Sequence, residues 1–196
     1  MSGDTVKQRG FSIVELMVVL VVLAVTLTLA APSFIDTRKN SQIRTESYAF
    51  RSTLTNARSE AMARRFPVIV CESADNTNCT TSGDWSNGYL AFADMDEDDA
   101  PDPNEIIINH RVSAPEIELA FEDFSGTGQS RVSFSTRGEA RGSSGTMIIC
   151  DDRGAKRGSA VILRGSGQVS MATDTDGSEI VDTLDNNGLV KDIVCN

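Results

Sequence analysis

Residues 7–31 read K-Q-R-G-F-S-I-V-E-L-M-V-V-L-V-V-L-A-V-T-L-T-L-A-A, and the architecture of the chain turns on them. A polar leader carrying Lys7 and Arg9 stops at Gly10, and an apolar run begins at once with Phe11. From Leu16 to Ala31 there is no charge, and two threonines are the only polar residues. The run from Phe11 to Ala31 would make ~31 Å of helix, enough to cross a bilayer core. Glu15 interrupts it. A carboxylate in such a segment is costly, ~2.5–3.5 kcal/mol at mid-helix, and marks a function with a partner. Cleavage after Gly10 would create an amine at Phe11, the natural cation for Glu15 of a neighbouring subunit. A secretory signal peptide is the plainer reading of a charged start and an apolar run. Glu15 argues against it, and so does the continuation of the run into an amphipathic helix with no clean cleavage site.

The stretch from Lys7 to Leu20, with Gly10, Phe11 and Glu15 in place and Pro32 further on, resembles the processing site of type IV pilins and type II secretion pseudopilins. The resemblance implies that a prepilin peptidase cuts between Gly10 and Phe11 and that Phe11 is then N-methylated. It implies further that Glu15 steers docking into a filament and that Pro32 kinks the helix, since proline removes a backbone donor.

Beyond the apolar run the helical pattern continues to Arg65. Ile43, Phe50, Leu54, Ala57 and Ala61 recur at intervals of seven, four, three and four and draw one apolar stripe. Pro67 ends the pattern. The whole helix, Phe11 to Arg65, would be ~80 Å long. Eight short apolar stretches then alternate with Gly/Ser/Asn/Asp clusters, at 67–72, 88–94, 105–111, 116–121, 131–135, 145–150, 159–164 and 168–172. They read as strands in mostly antiparallel pairing. The fold class expected is α+β, a long N-terminal helix packed on an antiparallel β-sandwich head. The expected divisions are a leader at 1–10, a helix at 11–66 with its transmembrane part at about 11–32, and an extracytoplasmic head at 67–196.

The segments 54–71 and W-S-N-G-Y-L-A-F-A-D (85–94) resemble heads of the GspH/FimT/FimU class, as do 145–154 and 160–169. The class comprises minor pilins and minor pseudopilins. The function it implies is a structural minor pilin of the type IV pilus, of FimU type, acting at the tip or in initiation. The alternatives are an H-type minor pseudopilin of a type II secretion system and, second, a DNA-binding pilin for natural transformation. The implied partners are the prepilin peptidase and other pilins or pseudopilins met through the helix. The implied location is the inner membrane, single-pass with the head in the periplasm, followed by the pilus or pseudopilus.

Cys71, Cys79, Cys150 and Cys195 all follow the apolar segment. An even number on the non-cytoplasmic side reads as two disulfides, and no C-x-x-C pair supports a metal site. Four cysteines allow three connectivities. Cys71–Cys79 would close a small hairpin and Cys150–Cys195 would staple the tail, and this pairing is favoured.

The balance of 18 basic and 28 acidic residues gives a net charge of −10, a field that opposes nucleic acid over most of the surface. A local basic excess lies between Arg131 and Arg164, and Arg153, Lys156 and Arg157 are its candidates for phosphate contact. No aromatic residue interleaves them, so DNA is disfavoured as a partner. The acidic run from Asp94 places Asp94, Asp96, Asp98 and Glu105 near calcium-loop spacing. Asp99 stands where that loop needs glycine, so a solvated hairpin loop is the preferred reading and no metal is assigned. His110 has no second histidine beside it and reads as structural. No nucleophile elbow, P-loop or dinucleotide fingerprint occurs, so neither an enzyme nor a cofactor is expected.

Overall fold

The computed structural model describes residues 11–112, 114–140 and 142–195, with the backbone alone for 28–33. Helix α1 spans Ile13–Arg64, two residues shorter at its start and one at its end than the sequence pattern suggests. Arg65 closes it in the left-handed region at φ 63°, its N–H donating to the Ala61 carbonyl at 3.1 Å. Pro67 then turns the chain into the first strand.

The chain divides into two compact units at Lys39/Asn40. The first holds the early part of α1. The second holds the rest of α1 and every strand: β1 (Val68–Glu72), β2 (Tyr89–Ala93), β3 (Ile106–His110), β4 (Glu118–Asp123), β5 (Arg131–Phe134), β6 (Gly145–Cys150), β7 (Ser159–Leu163), β8 (Val169–Met171), β9 (Asp182–Leu184) and β10 (Val190–Asp192). One sheet runs β3-β2-β1-β5 and another β4-β6-β7-β8, with β9 and β10 as a separate ribbon. Every described strand pair is antiparallel. The fold is α+β, as expected.

All eight expected strands form. The fourth starts at Glu118 because a turn, Ile117 N–H to the Ala114 carbonyl at 3.1 Å, occupies the preceding residues. The ribbon β9–β10 and a 3-10 turn at Ala155–Arg157 were not expected from sequence. Asn187-Gly188 was the available signal: Gly188 sits at φ 77°, where glycine meets no steric cost.

The period of two explains the layering. Met147, Ile149, Val161 and Leu163 face the main core, while their neighbours Ile148, Cys150 and Ala160 face the opposite side and gather Ile193 and Cys195. In the first sheet Val68 and Val70 face the main core and Ile69 and Cys71 the reverse. The stripe of α1 completes the main core, with Ile43 3% exposed and Phe50, Leu54, Ala57 and Ala61 fully buried. Phe50 is its aromatic hub, edge-on to Trp85 at 5.7 Å and to Tyr89 at 5.2 Å.

Candidate functional site

The first unit of α1 presents apolar side chains to its surroundings. Phe11 is 83% exposed, and Ile13, Val14, Leu16, Met17 and the valines and leucines to Leu27 are all exposed. Glu15 lies among them in the first helical turn, where a carboxylate meets the positive end of the helix dipole. Among the described residues no helix is long and apolar enough to cross a membrane. The sequence run continues through residues 28–31, whose side chains lie outside the described set, as does that of Pro32. Gly10 and the leader are also outside the described residues, so the cleavage junction is described only on its Phe11 side.

On the second unit the cysteines form two disulfides. Cys71 joins Cys79 with Cα atoms 5.6 Å apart, and Cys150 joins Cys195 at 5.9 Å. The first closes the loop after β1, where Thr80 N–H returns to the Glu72 carbonyl at 2.9 Å. The second ties the end of β6 to the residues after β10.

The three basic candidates sit on or beside the 3-10 turn. Arg153 grips the buried carboxylate of Asp151 from two nitrogens, Nη2 lying 2.7 Å from Oδ2. Lys156 donates to Glu179 at 2.8 Å, which raises the lysine and lowers the glutamate. Arg157 adds its field to the same Glu179. The structure therefore spends much of this positive charge on the head's own acids. Arg141, a further member of the basic segment, lies outside the described residues.

The acidic loop folds on itself. Asp94, Asp96 and Asp98 bring oxygens within 4.8 Å of one another. Glu105, 2% exposed, does not join them. Its Oε1 accepts from Met95 N–H at 2.8 Å and its Oε2 from Asp102 N–H at 3.3 Å, which closes the loop. Desolvation and the neighbouring carboxylates Asp98, Glu105 and Asp102 raise Asp96.

Three features escaped the sequence reading. His110 does serve a structural contact, but with a partner far away in sequence: its Nε2 lies 2.8 Å from Oε2 of Glu46, a residue 2% exposed on α1, and its ring stacks on Tyr89 at 4.8 Å. Glu46 falls three residues after Ile43 and four before Phe50, so it lies on the apolar stripe, and that position was the signal. Arg58 donates to the Gly138 carbonyl at 3.0 Å and to the Ser166 carbonyl at 3.4 Å, stitching α1 to two turns of the head. Finally, Asp174, Asp176 and Asp182 form a second carboxylate cluster, foreshadowed by the run D-T-D-G at 174–177.

An exposed apolar helix with an acid in its first turn, continuing into an antiparallel two-sheet head, defines a type IV pilin-like protein. Residues 6–31 match the prokaryotic N-terminal methylation motif, and residues 47–167 match the family described as type II transport protein GspH. The second match spans more than half of the chain, and the chain belongs to the GspH family. No curated protein sequence matches it. Among solved structures, the type IV minor pilin FimU of Pseudomonas aeruginosa PAO1 in space group P21 is similar, with a TM-score of 0.52 at 16% identity over 69% of this chain and 91% of that one. The same protein in space group P65 gives a TM-score of 0.45 at 15% identity, over 66% and 92%. The likeness at this identity is one of fold.

Proposed function

We propose that the protein is a minor pilin of a type IV pilus, FimU-like in role, acting in tip assembly or initiation rather than in catalysis. The observation that carries this reading is the pairing of a methylation-motif helix, its apolar surface exposed, with a head of the FimU fold. Residues 1–10 are the leader, 11–66 the helix with its membrane part at about 11–32, and 67–196 the head. The prepilin peptidase cuts between Gly10 and Phe11 and methylates Phe11. The helix then anchors the protein once in the inner membrane with the head in the periplasm, until other pilins draw it into the filament. Pro32 loosens the helix locally for that packing, since its ring denies one backbone hydrogen bond.

Glu15 sets the register. In a bundle of apolar helices its carboxylate meets the Phe11 amine of the adjacent subunit, and the benefit is alignment more than net stability. Two measurements test this. Intact mass should place the mature start at N-methylated Phe11; a start near Ala31 or Pro32 would mean a signal peptide instead. Glu15→Ala should leave insertion and cleavage intact but deplete the processed protein from sheared filaments by a hundredfold or more, following from the ~3–5 kcal/mol for a broken buried pair. Wild-type incorporation would refute the ion pair unless cross-linking to neighbours places the subunit at the extreme tip, with no subunit ahead of it to pair with.

A second reading, an H-type minor pseudopilin of a type II secretion system, is favoured by the family match to type II transport protein GspH. Cross-linking in cells decides between the two: capture by pilus subunits supports the first and capture by pseudopilins the second. For DNA binding by Arg153, Lys156 and Arg157, the acid partners of the first two are unfavourable. That reading needs duplex binding by the purified protein that weakens steeply with salt.

A further inference from the structure

Asp182 lies on β9 with 5% of its surface exposed. Its Oδ2 accepts from the Thr175 N–H at 2.6 Å and from the Thr175 hydroxyl. Its Oδ1 is buried and has no hydrogen-bond partner among the described residues. A buried carboxylate oxygen without a donor is expensive, and what offsets the cost is a proton donor or a cation. The described neighbours supply no donor. Asp174, Asp176 and Asp182 each bring an oxygen within 4.8 Å of the other two. Asp174 accepts two backbone N–H groups of its own loop, that of Gly177 at 2.7 Å on Oδ1 and that of Glu179 at 2.9 Å on Oδ2. The nearby lysines face other acids: Lys156 is on Glu179, and Lys191 exerts its field on Asp185.

We propose that Asp174, Asp176 and the buried Asp182 form a calcium site that clamps the loop 174–179 onto strand β9. Oxygens at the ~2.4 Å typical of calcium stand at most ~4.8 Å apart across the ion, and these three oxygens fall inside that bound. All three ligands are hard oxygens, and no thiol or imidazole joins them in the cluster. Calcium accepts carboxylates singly or in pairs and fills its shell with carbonyls and water, whereas magnesium demands a near-ideal octahedron. The clamp has a structural purpose. Strand β9 is three residues long, meets the second sheet through the Thr183–Thr146 hydroxyl pair, and leads into the tail held by Cys150–Cys195. An ion on Asp182 makes that ribbon's seating depend on external calcium. The availability of calcium to the site rests on the proposed placement of the head outside the cytoplasm; the binding itself does not.

The test uses the full chain, disulfides intact, purified in detergent, stripped with EDTA and titrated calorimetrically with calcium chloride. One saturable site is expected, with Kd ~10⁻⁴–10⁻³ M, the range of extracellular calcium modules. At ten times Kd, amide exchange in residues 172–184 should slow by ~10-fold, the factor by which ligand suppresses opening. Asp176→Asn, on an exposed loop position, should weaken binding by ~10-fold or more through loss of a ligand charge. Asp182→Asn should abolish it, and where that buried change unsettles the ribbon, Asp176→Asn still decides. Asp96→Asn, in the other acidic cluster, should leave affinity unchanged. No saturable heat up to ~10 mM, well above the extracellular-module range, overturns the proposal. So does unchanged affinity in Asp176→Asn, or calcium protection centred on residues 94–105. Because the assay reads purified protein, its failure leaves the pilin reading standing.

Discussion

Replacing Phe50 with alanine removes the side chain on which the docking of α1 to the head turns. Phe50 is fully buried, and its ring meets Trp85 edge-on at 5.7 Å, Tyr89 edge-on at 5.2 Å and Phe121 at 6.4 Å. Truncating a buried phenylalanine costs ~3–5 kcal/mol, the spread reflecting how far the site can collapse. This site resists collapse. Its walls come from a helix and from both sheets, and the Trp85 indole N–H is fixed on the Gln129 carbonyl at 2.8 Å. The cost should therefore fall near the middle or top of the range, ~4 kcal/mol, against a total of ~5–15 kcal/mol for a typical domain. With a urea slope of ~2 kcal/mol/M, the midpoint should drop by ~2 M. Trp85 is the single tryptophan of the chain and touches the cavity directly, so its emission reports the transition. Tyr48→Ala, two residues away on the same helix but 51% exposed, should stay within ~0.5 kcal/mol. A shift below ~0.5 M for Phe50→Ala, or one equal to that of Tyr48→Ala, would refute the claim that this ring anchors the helix.

Gly167→Ala should destabilise the head by ~2–4 kcal/mol in the same urea assay. Gly167 holds φ 78°, and a Cβ there would fall 1.9 Å from the Gly138 carbonyl oxygen, a backbone atom that cannot move aside cheaply. Opening Cys150–Cys195 by a double serine change should cost more than opening Cys71–Cys79, ~4 against ~2.5 kcal/mol in the loop-entropy account, because the sequence separations are 45 and 8. Equal midpoint shifts would count against that account. Glu46→Ala should cost ~2 kcal/mol and release the His110 ring from its partner, visible as a change in the imidazole NMR shifts. Hydrogen bonds hold Asp123, Asp174 and Asp185 below their usual value of 3.8, so their contribution is complete above that pH and is lost as pH falls through the lowered values. Acid melts should accordingly show stability flat above about pH 5 and falling below about pH 4; a decline centred near neutrality would contradict this.

The helix and the first eight strands could be read from the sequence because each is announced by its own period. The spacing Ile43, Phe50, Leu54, Ala57, Ala61 is geometry a single helix imposes, and burial follows for all five. The ribbon β9–β10 hid because its residues carry almost no alternation: Val190 and Lys191 are both exposed, and Asp182 and Thr183 are both buried. Glu46 hid for a related reason. A charge on an apolar stripe reads as a break in the pattern until the fold places His110, 64 residues onward, against it.

The two acidic clusters make the same point from the other side. In sequence the run at 94–105 is the denser and invites comparison with a calcium loop. Density along the chain measures only how near carboxylates are before folding, whereas a site depends on what each oxygen meets afterwards. Asp94 is as buried as Asp182, yet its Oδ1 is met by Asp98 N–H at 3.1 Å, and Glu105 spends both oxygens on loop backbone. Asp174 and Asp176 accept loop N–H groups in the same way, so the two clusters differ in the residue that folding brings in from outside the loop. Asp182 comes from a strand beyond its loop, satisfies that loop with one oxygen and keeps the other buried without a donor among the described residues. Ligand capacity therefore resides where folding leaves a lone pair unspent, and that balance is struck between distant residues.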